Sequence, residues 1–265
     1  MVEWISLARQ RGLWADIMHA VFNLLFAAGV TALVMVFPDT PWPAFALVLL
    51  AKWRVVAVRP RYWWTNFLSS LPDLLLGIGV AALMWQSGVL GLIFGLAAWP
   101  VQAALGLLFA VWLIWLKPQH KHNWVLVQAG ASQFIGLAAL FSVVARLPLW
   151  VAVALAFVTA FAAARQALAL YEEKAQTLLA LIWGLAVAEL AFAAWHWTVS
   201  YQITPLLKVP QIAIIVSVIG FAAERIYASY QKHGAVRWNE VSWPVMFAII
   251  VTVMLVFVFG GLWGI

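Results

Sequence analysis

The sequence predicts an all-α protein: a polytopic transmembrane helical bundle of about nine helices, N-terminus inside and C-terminus outside. Three observations carry that prediction. Of 265 residues, 66% are hydrophobic and only 9% are charged, against roughly 45–50% and about 25% in soluble domains. The apolar residues come in successive runs near the ~20 residues that a helix needs to cross ~30 Å of hydrocarbon. The basic residues fall in alternate connections between those runs, as the positive-inside rule requires. Helices are expected throughout, because an open sheet edge leaves backbone groups unsatisfied in lipid.

The first run covers residues 13–37 and follows Arg9 and Arg11. It is longer than the apolar core of a usual signal peptide and reads as an uncleaved first helix. Residues 41–56 form a short second span, introduced by the turn sequence PDTPWP, and residues 66–86 a third. The fourth, residues 88–116, is long and carries Pro100, where a helix breaks or kinks. KPQHKHN then precedes residues 123–145, and spans over 147–170, 176–200, 209–230 and 241–262 complete the set. No connection is long enough for a soluble domain, so residues 1–265 form one transmembrane domain.

With the N-terminus inside, the inner segments hold Arg9, Arg11, Lys52, Arg54, Arg59, Arg61 and Lys117. Lys121, Arg165, Lys174, Arg225, Lys232 and Arg237 follow, making 13 of the 15 Lys and Arg. Only Arg146 and Lys208 fall outside. The formal charge of +6 is therefore a topology signal that points to no nucleic acid. Many of the 18 Trp, such as Trp63, Trp64, Trp115, Trp195 and Trp243, lie near span ends, where an amphipathic indole suits the headgroup layer. The absence of Cys excludes disulfides, thiolate metal sites and cysteine nucleophiles.

Ionisable groups inside hydrocarbon usually face a protein interior or a wet cavity. Asp73 lies about seven residues into the third span, on a helical face with Asn66, Ser69, Ser70, Gly77 and Ala81. Arg165 is expected at a similar depth in the sixth span and is a candidate partner for Asp73; the alternative is that Asp73 locks helices together or takes a hydroxyl hydrogen bond while Arg165 snorkels to the interface. Glu189 is deeper, about thirteen residues into the seventh span, with His196 two turns further along the same face. It suits either a relay for protons or cations, or a hydrogen bond to a neighbouring helix. Gln102, Gln128 and Gln133 add polar interior surface, and GLIFG at Gly91 to Gly95 suggests a close helix contact. Asp16, His19 and Asn23 share one face of the first span.

The inner segment KWRVVAVRPRYWW combines Lys52, Arg54, Arg59 and Arg61 with aromatics, a composition that suits anionic headgroups. Lys52, Arg59 and Pro60 also fit K-x6-RP, which resembles the first signature of the type-two phosphatidic acid phosphatase family. The later signatures of that family, with their catalytic His pair, have no counterpart, so the match carries no mechanism. No HExxH, GxSxG or Walker motif is present. No catalytic residue, metal site or cofactor is expected.

The stretches KWRVVAVRPRYWWTN, with Asp73 shortly after, and VQAGASQFIGL resemble segments of uncharacterised polytopic membrane proteins of the Saccharibacteria. The resemblance implies a bacterial cytoplasmic membrane and transfers no functional residue. Three functions fit. The first is a solute or ion permease with its pathway among the third, fifth, sixth and seventh helices. The second is a non-catalytic membrane subunit or scaffold, as a homo-oligomer or with another membrane protein. The third is a lipid-acting intramembrane enzyme using the basic inner segment.

Overall fold

The computed structural model describes residues 13–55, 57–197 and 199–258. Nine α-helices fill most of this length, and eight are long and apolar enough to cross a membrane. In chain order they are α1 (Leu13–Val36), α2 (Trp42–Leu50), α3 (Trp63–Phe94), α4 (Trp99–Val111) and α5 (His122–Ser142). Then come α6 (Leu149–Leu168), α7 (Gln176–His196), α8 (Gln211–His233) and α9 (Trp238–Val253). Between α7 and α8 lies an antiparallel hairpin of β1 (Ser200–Thr204) and β2 (Leu207–Pro210).

The core has two halves. Ala27 and Val30 of α1, Val48 of α2, Leu76 and Met84 of α3 and Phe109 of α4 form one. Leu137 and Phe141 of α5, Ala156 and Ala160 of α6, Val187 of α7 and Val216 of α8 form the other. The halves meet where Ala82 and Leu83 of α3 pack with Ala139 of α5. Small residues bring these helices close: a Cβ on Gly136 of α5 would lie 2.7 Å from Thr159 Cγ2 of α6. Such close approach suits lipid, where van der Waals packing rather than water exclusion drives association. α9 packs on α8 at the edge of the bundle.

Two expectations need correction. The second span is a nine-residue helix, less than the predicted run over 41–56. It nevertheless returns the chain across the bundle. The Trp85 indole of α3 donates to the Pro38 carbonyl before α2, at 2.8 Å, and Lys52 after α2 reaches Asp73 of α3. Asp73 and Trp85 are twelve residues apart on one helix, or ~18 Å along its axis. α2 and its flanks cover that distance downwards between two longer helices that run upwards.

The boundary between the third and fourth spans also moves. α3 runs for 32 residues to Phe94, absorbing the stretch from Gly88 that was assigned to the fourth span. It stops at Gly95, whose φ of +67° is left-handed, and the N–H groups of Gly95 and Leu96 both reach the Gly91 carbonyl. GLIFG is therefore a helix terminus, and its Gly91 also approaches the next helix closely: a Cβ there would lie 2.8 Å from Ala98 Cβ, at the start of α4. Pro100 stands in the first turn of α4, where its missing N–H costs no helical hydrogen bond.

The other spans agree with the sequence within a few residues, except that the run to Ser200 ends at His196 and gives way to the hairpin. Arg9, Arg11 and Leu262 lie outside the described residues, as does the side chain of Arg54.

Candidate functional site

The polar residues gather in three places: a base-rich end, the interior, and the outward face of α7. At the base-rich end, Asp73 accepts from two ammonium groups. Lys52 Nζ, brought there by the shortness of α2, binds Asp73 Oδ2, and Lys117 Nζ lies 2.8 Å from the same oxygen. Lys117 is placed by a π turn over Trp112–Leu116, where its N–H reaches back to the Trp112 carbonyl at 2.8 Å. Pro72 stands inside α3 immediately before Asp73. The expected Asp73–Arg165 pair is absent: two lysines take the carboxylate. Arg165 Nε is buried with no hydrogen-bond partner among the described residues, and its carbonyl accepts from Gln176 Nε2 at 2.6 Å. Ser69 and Ser70 turn their hydroxyls back to the carbonyls of Asn66 and Phe67 in their own helix, while Gly77 of the same stripe packs close to Val48 of α2.

A second cluster at the same end joins the α6–α7 turn to α8. Tyr171 donates to Glu224 Oε1 at 2.6 Å, and Arg225 Nε lies 2.9 Å from Glu224 Oε2. Tyr227 and Gln231 donate to Glu173 Oε2, while Glu173 Oε1 accepts the Ala175 N–H at 2.9 Å. That backbone hydrogen bond, with those from Tyr227 and Gln231, holds the Glu173 carboxyl below its ordinary range. The His122 ring stands edge-on to Tyr171, centroids 5.2 Å apart, which ties α5 to the cluster. Arg59 and Arg61 of the basic segment are exposed, and Arg61 stacks on the Tyr62 ring.

Inside the bundle the three amides serve the protein's own backbone. Gln102 Nε2 donates to the Met84 carbonyl at 3.2 Å. Gln128 Nε2 caps the end of the π turn, donating to Leu116 O at 2.7 Å and Gln119 O at 3.0 Å. Gln133 links three helices: it accepts from Trp183 Nε1 at 2.8 Å and donates to Val216 O at 3.5 Å. These are helix-tying bonds.

Glu189 is placed differently. It lies on the outward face of α7, exposed, in a stripe with Ile182, Ala186, Ala193 and His196. α7 packs its other face, Ala180, Gly184, Val187 and Ala191, against α6. The Glu189 side chain makes no hydrogen bond or ion pair among the described residues. His196, also exposed, is held by the Phe192 carbonyl at 2.9 Å and by the Trp195 ring. On α1, Asn23 bonds to His19 within its own helix.

Sequence reasoning placed Lys117, Glu173, Tyr171, Glu224 and Tyr227 in no site. Lys117 is present in the charge count as a topology signal, but its meeting with Asp73 depends on the π turn, which no local pattern announces. Glu173 and Glu224 are 51 residues apart in sequence, and only the placement of α8 beside the α6–α7 turn brings them into one cluster.

Fold and polar clusters together define an α-helical, multi-pass membrane protein whose ionic contacts concentrate at one end. No protein-family model matches the chain, nor does any curated protein or solved structure.

Proposed function

We propose that this protein is a non-catalytic subunit of a bacterial cytoplasmic membrane assembly, and that two copies associate through the outward face of α7. The observation that carries this reading is Glu189. A carboxyl group at bilayer depth normally faces a protein interior or a wet cavity, and here it faces outward from the bundle. A second copy provides the missing interior. Two parallel α7 helices related by a twofold axis along the membrane normal bring Glu189 against Glu189 at equal depth. Each side chain then offers the other a hydrogen-bonding partner, so the pair is self-complementary. Ala186 and Ala193, one turn to either side, let the backbones approach.

The permease reading has less support. It rests on Asp73, Glu189 and the interior amides; Asp73 is taken by Lys52 and Lys117, and Gln102, Gln128 and Gln133 are occupied by carbonyls and an indole of this chain. Its relay relied on Glu189, which is directed away from those helices. At the base-rich end, exposed Arg59 and Arg61 beside Trp63 and Trp64 suit anionic lipid headgroups of the cytoplasmic leaflet, which orient the assembly.

Counting subunits by single-molecule photobleaching in liposomes tests the dimer. Wild type should give two-step traces. Glu189→Gln should retain them, because an amide also donates and accepts. Glu189→Leu should self-associate about tenfold more weakly, the scale of an intramembrane hydrogen bond. Monomeric wild type, or a Leu variant as dimeric as wild type, sinks the proposal.

A further inference from the structure

At the end of the bundle opposite Asp73, the β1–β2 hairpin folds back over α3 and α5. Leu206 at its tip is buried, and Leu207 packs beside Leu83 and Ala139. Beneath it lies a recess of about 660 Å³, within the range of small-molecule and headgroup sites. Leu83 and Leu90 of α3, Phe141 of α5 and Trp195 of α7 form apolar walls. Gln86, Ser142, Ser200 and Lys208 supply polar groups, and no lining residue is acidic.

Two features give the recess a chemistry. The first is charge. Lys208 lines it and makes no ion pair among the described residues. Arg146 follows the lining residue Ala145 and holds its guanidinium 4.8 Å from the Trp85 ring centroid, next to Gln86. These are the two bases that the charge alternation leaves on this face; Lys208 lines the recess, and Arg146 stands one residue beyond its lining. The second is an acceptor. Gln86 Oε1 is buried without a hydrogen-bond partner among the described residues. Leaving a buried acceptor unsatisfied is unfavourable, so an occupant that brings a hydroxyl donor is favoured there.

The geometry points to a binding site for an anionic phospholipid with a hydroxylated headgroup, of the phosphoglycerol type, drawn from the leaflet on the base-poor side. The phosphate faces Lys208, with Arg146 at the rim. A headgroup hydroxyl donates to Gln86 Oε1, and the acyl chains leave along Leu83, Leu90 and Trp195. This site is independent of the α7 face and of the arginines at the base-rich end, so it stands or falls apart from the dimer.

Native mass spectrometry of the full chain, delipidated in detergent and titrated with phosphatidylglycerol or phosphatidylcholine, tests it. Using an Arg59→Gln, Arg61→Gln background removes competing binding at the opposite end. Phosphatidylglycerol should be retained over phosphatidylcholine. Lys208→Gln should bind it about fivefold more weakly, Lys208→Arg should restore binding, and Gln86→Leu should narrow the preference between the two lipids. Equal retention of both lipids, or undiminished phosphatidylglycerol binding in Lys208→Gln, overturns the site. Displacement of the lipid by millimolar glycerol phosphate overturns the lipid as its source and assigns the recess to a soluble phosphate ester.

Discussion

Asp73 serves two ammonium groups with one carboxylate, so its loss leaves Lys52 and Lys117 facing each other. Removing one partner of a fully buried ion pair costs about 3–5 kcal/mol. These side chains are less sheltered: 22% of Asp73, 23% of Lys52 and 41% of Lys117 remain accessible. Asp73→Ala is therefore expected to destabilise the protein by about 1–3 kcal/mol, read from denaturant unfolding in micelles. An unchanged midpoint would mean that the lysines are anchored elsewhere. That Asp73 stands within a long apolar helix was legible in the sequence. Its partners were not, because residues 21 and 44 positions away meet it only through the packing of α2 and α4. Glu173 gives a pH-dependent counterpart outside the spanning helices. Its folded-state pKa lies below the ordinary 4.5, so its contribution is complete above that value and disappears as pH falls through the lower folded value. Thermal melts of wild type and Glu173→Gln should differ at neutral pH and converge on acidification. A gap that widens in acid would reverse the sign and refute the assignment.

Among the elements, α2 and α3 depart furthest from expectation. Hydropathy marks where apolar residues run, and Gly88 to Phe94 is as apolar as the helix α4 beyond it, so hydropathy has no means of choosing between the two helices. The choice falls to Gly95. It alone among these residues adopts a left-handed backbone conformation, and a helix commonly ends at such a residue, with N–H groups at and beyond it reaching back to carbonyls of the last turn. A Cβ at Gly95 meets nothing within 4 Å, so Gly95→Ala should cost only the backbone term, about 1 kcal/mol. Equal stability of the two proteins in chemical unfolding would show that the turn relaxes. The hairpin was likewise illegible. Residues 200–210 carry no strong alternation, and their pairing is fixed by the ends of α7 and α8 and by the docking of Leu206.

For the whole molecule, the alternation of bases predicts nine passes, while length and composition admit eight helices as spans. The difference is α2. Its flanking contacts, Pro38 with Trp85 and Lys52 with Asp73, put its two ends at opposite levels of α3, which reconciles the counts: eight full spans and one short return. The protein has no Cys, so single cysteines report sidedness cleanly. Asp39→Cys and Ala57→Cys, both at exposed positions, should react with an impermeant maleimide from opposite sides of the membrane, Ala57→Cys from the cytoplasm. Labelling of both from one side would remove the short crossing and invert every later helix.

The sequence by itself determined the class of protein, the positions of the long helices other than the α3–α4 boundary, and the end at which bases collect. Those follow from properties that act locally: the length of apolar run that fits hydrocarbon and the exclusion of Lys and Arg from translocated connections. Tertiary structure decided what the polar residues face. The same helical periodicity places Glu189, Gln133 and Asp73 each on a defined face of its helix, but whether that face meets a carbonyl, an ammonium group or the outside depends on which helices pack beside it. Close approach between small residues, together with the short α2 and the π turn after α4, makes that decision. It occupied Gln102, Gln128 and Gln133, gave Asp73 to Lys52 and Lys117, and left Glu189 outward.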